Sequence, residues 1–211
     1  MSEIDPMDQG QGAQPWSIDR VGVVGMGLIG GSIALDLSQQ GVEVQGLVHR
    51  EVTAERARSR GLAPLVSTDP SCLQNCDLVI LALPLESLLS PQESLIKALP
   101  ERAVVTDVGS VKAEVLAVWR HLHPRFVGSH PMAGTAQAGV DAGITGLFCG
   151  RPWVSTPESM TDPSALEVIQ QLAERLGSHW LTADAARHDQ AVALISHLPV
   201  IISAALLRAV G

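Results

Sequence analysis

The chain has 211 residues, 46% hydrophobic and 17% charged, the length of about one to two domains. That balance excludes a disordered chain, which needs low hydrophobicity and high charge. With 14 Lys and Arg against 22 Asp and Glu the formal net charge is −8, aromatics are 3% and Tyr is absent. The field therefore opposes a phosphate backbone, bases find little to stack on, and no nucleic-acid partner is expected. Any phosphate must be met by a local site.

The first 18 residues are polar and acidic, without a basic or apolar leader segment, and read as a flexible tail. Arg20 to Gly25 is a short apolar run ending in glycine, the pattern of a buried first strand. Ile29 to Gln40 has helical spacing and stops at Gly41. Val42 to Val48 is a second strand, and Thr53 to Arg60 a short helix with Thr53 as its cap. Asp77 to Leu83 is a fully apolar strand stopped by Pro84, followed by a helix from Leu85 to Leu99 with a break at Pro91. Ala103 to Asp107 is a strand and Val111 to Leu122 a helix. Phe126 to Ser129, Trp153 to Ser155 and His179 to Thr182 are short strands, with an amphipathic helix from Pro163 to Leu176. Alternation of this kind builds βαβ units: an α/β chain with a doubly wound, mostly parallel sheet over residues 19–182. From Ala183 to Gly211 the chain reads as the first helix of a second, all-helical domain that is cut short. Ala191 to Val210 is apolar, but His197, Pro199 and Arg208 interrupt it, so a buried helix is expected and no membrane span.

Gly25, Gly27 and Gly30 form a G-x-G-x-x-G between the first strand and first helix. This is the phosphate-binding turn of a Rossmann-like domain. The first glycine makes the turn, the second admits a pyrophosphate, and the third packs helix on strand. The main chain of Leu28 and Ile29 then offers N–H groups to the anion. An NAD site usually carries an acid at the end of the second strand. Here that end reads Val48-His49-Arg50, so Arg50, helped by Thr53, suits the 2′-phosphate of NADP. Arg58 and Arg60 fit a solvated basic helix better. Leu83, Pro84 and Asp107, at the ends of later strands, complete the expected cofactor contacts.

Three further stretches carry polar chemistry. His130, in GSHPMAGT directly after a strand, is placed to serve as acid or base, or to pack within its loop. Ser110, in TDVGSVK, either caps the next helix or presents its hydroxyl at the sheet edge. His188-Asp189 reads either as part of the polar chemistry or as no more than a surface pair, His197 as a core histidine or a ligand contact, and His121 and His123 as surface residues. Cys72, Cys76 and Cys149 make neither a disulfide framework nor a ligand set, so small buried thiols and no metal are expected.

VGVVGMGLIGGSIA, VVTDVGSVK, GSHPMAGT and HDQAVALISHLP, in that order, resemble the TyrA family of prephenate and arogenate dehydrogenases over residues 20–211. The resemblance implies a cytoplasmic enzyme, homodimeric through its helical domain, that couples NADP reduction to decarboxylation in tyrosine biosynthesis. It implies catalytic roles for His130 and Ser110 and substrate contacts from Ser110, His130, Thr135 and His197. Many prephenate-using members have a second His where Val200 stands, and some have Glu where Ala136 stands. With Arg50, these departures favour arogenate over prephenate. The family's helical domain extends further and carries an arginine for the substrate side chain that has no counterpart here. Two other readings are a dinucleotide-binding module without catalysis and a β-hydroxyacid dehydrogenase. The latter needs a catalytic Lys in its second half, where this chain has none after Lys112.

Overall fold

A computed structural model describes residues 16–197, 202–206 and 208, with only the main chain of Ser196 and His197. The flexible-tail expectation for residues 1–15 lies outside the described residues, as does Val200. Six strands, β1 (Arg20–Val24), β2 (Glu43–Leu47), β3 (Leu65–Ser67), β4 (Leu78–Leu81), β5 (Val104–Asp107) and β6 (Phe126–Val127), form one sheet. Its order is β3-β2-β1-β4-β5-β6, and every pairing is parallel. The order reverses between β1 and β4, which places a crevice at their carboxyl ends, where doubly wound sheets bind ligands.

Alternate residues of each strand face opposite sides, and both sides are covered. Leu78 and Ile80 of β4 join one core with Ile33, Leu37, Ile169 and Leu172. Val79 and Leu81 join the other with Leu88, Val115, Leu116 and Trp119. The first core is closed by helices α1 (Leu28–Gln39) and α6 (Pro163–Arg175). The second is closed by α3 (Leu85–Leu89), α4 (Glu93–Ala98) and α5 (Ala113–Trp119). The break between α3 and α4 contains Pro91, as the sequence requires. In α6, Pro163 holds the first turn and the Asp162 carboxylate accepts from Ser164 N at 2.9 Å, which starts the helix.

Three features depart from the sequence expectations. Helix α2 (Glu51–Ser59) begins with Arg50 in the capping position, so Thr53 lies inside the helix. The later strands do not extend the main sheet. Instead β7 (Ser129–Pro131), β8 (Pro152–Ser155) and β9 (His179–Thr182) make a second sheet, with β7 antiparallel and β9 parallel to β8. The last segment is α7 (Ala185–Val192), which passes into a wider π-turn over Ala193–His197.

Candidate functional site

A cleft of about 1100 Å³ lies at the switch point between β1 and β4. Gly25, Gly27, Leu28, Ile29, Arg50, Thr53, Leu83 and Pro84 all line it. Gly25 sits at φ +93°, and a Cβ there would meet Ala82 O at 2.3 Å. A Cβ on Gly30 would lie 1.9 Å from Gly25 O, so Gly30 serves the close packing of helix on turn rather than the cleft wall. Around Gly27 a Cβ would meet nothing within 4 Å, leaving open space beside the first turn of α1. No side chain caps α1 and no acid sits in its first turn, so its N–H groups and partial positive charge face an anion unopposed. These residues fit a dinucleotide pyrophosphate.

The arginines around α2 have separate roles. Arg56 pairs with Asp141 at 2.7 Å, and Arg58 with Glu51 at 2.6 Å. Arg60 donates to Val140 O and Gly143 O. Arg58 and Arg60 thus brace the fold rather than forming a merely solvated face. Arg50 is exposed on the cleft, and its guanidinium makes no ion pair or hydrogen bond among the described residues. Across from it, Gln137 to Asp141 form part of the cleft wall. No motif marked that loop, because its place depends on Arg56 and Arg60 reaching across from α2.

Asp107 is fully buried, facing inward rather than into the cleft. It is ion-paired to the equally buried Lys112 and accepts from Gly109 N at 2.8 Å and Ser129 N at 3.3 Å. Burial pushes the Asp107 carboxyl up and the Lys112 ammonium down, each against the attraction of its partner. Lys112 Nζ also donates to Ser129 O at 2.8 Å, and Ser129 Oγ donates to Asp107 O at 2.9 Å. This network, not evident from the sequence, ties β7 to the carboxyl end of β5. It therefore brings His130, which follows Ser129, to the same sheet edge as Ser110, which follows β5. Ser110 is exposed and does not cap α5; Lys112 holds the capping position. With Lys112 buried in an ion pair and Lys97 exposed beside Glu93, neither lysine matches the β-hydroxyacid dehydrogenase reading.

His130 is half-buried, and its Nδ1 lies 3.0 Å from His188 Nε2. His188 is 4% exposed, so His188-Asp189 is an interior pair, not the surface pair the sequence left open. Its Nδ1 lies 2.8 Å from Asp189 Oδ1. Asp189 also accepts from Lys112 N at 2.8 Å and Ala113 N at 2.9 Å. It thereby supplies the cap that α5 lacks from its own residues. Burial alone would raise the Asp189 carboxyl, but the Ala113 and Lys112 N–H groups and the His188 ring hold it below its ordinary value. Thr135 is exposed on the loop after β7, where its Oγ1 accepts from Gln137 N at 3.2 Å. His197 ends the π-turn, and its side chain lies outside the described residues. His123 is buried against Pro100 O and Cys149 is exposed, both against expectation.

The nucleotide-binding domain of prephenate dehydrogenase matches residues 33–182. Among relatives, cyclohexadienyl dehydrogenase of Zymomonas mobilis is 32% identical over 90% of this chain and 67% of its own length. Synechocystis arogenate dehydrogenase superposes with a TM-score of 0.83 at 42% identity, over 90% of this chain and 68% of that one. A. aeolicus prephenate dehydrogenase, solved with hydroxyphenyl propionate and NAD+, gives 0.86 at 29% identity, over 93% and 70%. The chain spans about half the length of other curated prephenate dehydrogenases it matches. On the matched domain and the shared fold, the chain belongs to the prephenate and arogenate dehydrogenase family.

Proposed function

We propose that the protein containing this chain oxidatively decarboxylates arogenate, in preference to prephenate, with NADP as hydride acceptor, in tyrosine biosynthesis. The observation that carries the reading is the cleft itself. Its phosphate end presents an unopposed helix terminus and an Arg50 side chain without a partner among the described residues; Ser110 follows two residues after Val108 of its lining, and His130 follows Ser129, which bonds to the end of β5. The lack of an acid in Val48-His49-Arg50 at the end of β2 and a guanidinium without a partner among the described residues support NADP over NAD. A bound nicotinamide would supply the acceptor for the hydride that leaves C4 of the substrate ring. His130 takes the C4 hydroxyl proton as hydride departs and returns it to the phenolate oxygen when CO2 leaves. Ser110 and Thr135, both exposed, hold the substrate in position, with His197 reaching in from the helical segment.

The preference for arogenate rests on Val200 and Ala136 and on the likeness to the Synechocystis enzyme. The same reading makes the enzyme a cytoplasmic homodimer. Leu194, Ile195, Ile202 and Leu206, all exposed, supply apolar surface for the helical contact. Among the described residues no helix is long and apolar enough to cross a membrane. Steady-state kinetics on the whole protein test the substrate. Arogenate should exceed prephenate by about tenfold or more in kcat/KM, a gap of about 1.4 kcal/mol. Equal values defeat the preference, and a Val200→His variant that gains prephenate turnover locates its determinant.

A further inference from the structure

Three side chains form an unbroken line behind the candidate acid–base group: His130 Nδ1 to His188 Nε2 at 3.0 Å, then His188 Nδ1 to Asp189 Oδ1 at 2.8 Å. The two rings meet edge to face, with centroids 5.2 Å apart and planes 80° apart. The line ends on the first turn of α5, whose Lys112 and Ala113 N–H groups donate to both Asp189 oxygens. Other charges near this line are the buried Asp107 and Lys112, paired with each other.

Proton placement follows from what each atom can do. An ionised carboxylate only accepts, so His188 must donate from Nδ1. A neutral His188 then has only a lone pair on Nε2, and the contact with His130 is a hydrogen bond only if His130 Nδ1 carries the proton. The other neutral arrangement sets two lone pairs against each other at 3.0 Å. We infer that His188 and Asp189 are positioning residues that hold His130 as its Nδ1–H tautomer, leaving Nε2 as the basic nitrogen. When Nε2 takes the substrate proton, the Nδ1 proton can pass to His188 Nε2, and the positive charge comes to rest beside Asp189. The logic is that of a hydrolase triad, in which an acid fixes the tautomer of the base, with a second imidazole inserted between them. The inference rests on the reading of His130 as the acid–base group and adds how that group is set.

The test is the tautomer itself, read from long-range proton–nitrogen correlations of the whole protein labelled with 15N-histidine, at mildly alkaline pH. An isolated neutral imidazole favours the Nε2–H form, so the expected Nδ1–H form of His130 is diagnostic of the relay. His188→Phe should return His130 to mainly Nε2–H, and His188→Gln, which keeps an acceptor, should restore Nδ1–H in part. Turnover should fall by about 10²-fold in His188→Phe, the low end for acid–base groups, recover in part in His188→Gln, and leave KM for the dinucleotide unchanged. An Nε2–H His130 in the wild-type protein overturns the inference, even if no variant folds. So does a tautomer unchanged by His188→Phe. An Nδ1–H His130 in a protein that turns over neither arogenate nor prephenate would instead refute the proposed reaction and leave the relay standing.

Discussion

Arg50 and His130 carry the two halves of the proposed chemistry, and each can be removed without dismantling the fold. The Arg50 side chain is exposed and bonded to nothing among the described residues, so its loss leaves no buried partner stranded. A charge-assisted bidentate bond is worth about 1.5–3 kcal/mol. Arg50→Ala should therefore weaken NADP binding about ten- to a hundredfold and leave NAD binding nearly unchanged; equal losses for both dinucleotides would make Arg50 a general cleft residue. His130→Asn removes the ring that His188 contacts. In the whole enzyme it should lower kcat by about 10²- to 10⁴-fold and leave dinucleotide affinity intact. A variant that keeps more than about a third of wild-type turnover would show that His130 is structural. At this scale the sequence was informative where side chains act through their own loop. Gly25, Gly27 and Arg50 could be placed from the motif and the adjacent strand ends. It was silent where a partner comes from far along the chain: His188 lies 58 residues from His130, and Asp189 lies 77 from Lys112. No local spacing encodes such contacts, which is why the sequence left a surface pair open for His188 and Asp189.

The glycine turn and α1 show how an element serves ligand and fold with different residues. Gly27 borders open space and has an ordinary φ of −77°. Gly27→Ala should keep the melting temperature and lower dinucleotide affinity about tenfold or more, because the added methyl occupies room needed for phosphate approach. Gly30→Ala places a methyl against Gly25 O and Ala82 Cβ. It should cost about 1–3 kcal/mol of stability by overpacking, measured by urea unfolding without any ligand. The reverse pattern would exchange the roles of the two glycines. Most strands of the main sheet were legible because β1 and β4 are short apolar runs between turn residues and β2 sits in an alternating segment. β3 was missed because three residues are too few for any periodicity. The second sheet was missed because the network around Ser129 lifts β7 away from β6 within two residues. The long terminal helix was expected from uniform hydrophobicity, and the π-turn at Ala193–His197 leaves no trace in such a pattern.

Across the whole molecule, Asp189 links α7 to α5 and so joins the helical segment to the dinucleotide domain. Its carboxyl is depressed when folded, so the stability it contributes is present above its unfolded value of about 3.9 and is lost as pH falls through the lower folded value. Asp36, raised by burial, has the opposite sign: it favours the folded state at low pH and loses that contribution as pH rises through its folded value. Comparing wild type with Asp189→Asn cancels the Asp36 contribution. The wild-type advantage in urea unfolding should be full near neutrality and shrink below about pH 4; a pH-independent difference would show that the carboxylate's charge is not what holds the two segments. The proposed reaction makes a stricter demand, that oxidation and decarboxylation occur together at one site with NADP as acceptor. The direct test follows reduced dinucleotide and CO2 in parallel, on the whole protein, with arogenate and prephenate against NADP and NAD. The expected result is one CO2 for each hydride transferred, fastest with arogenate and NADP. Dinucleotide reduction without CO2 release, or no reduction with any of the four pairs, would contradict it.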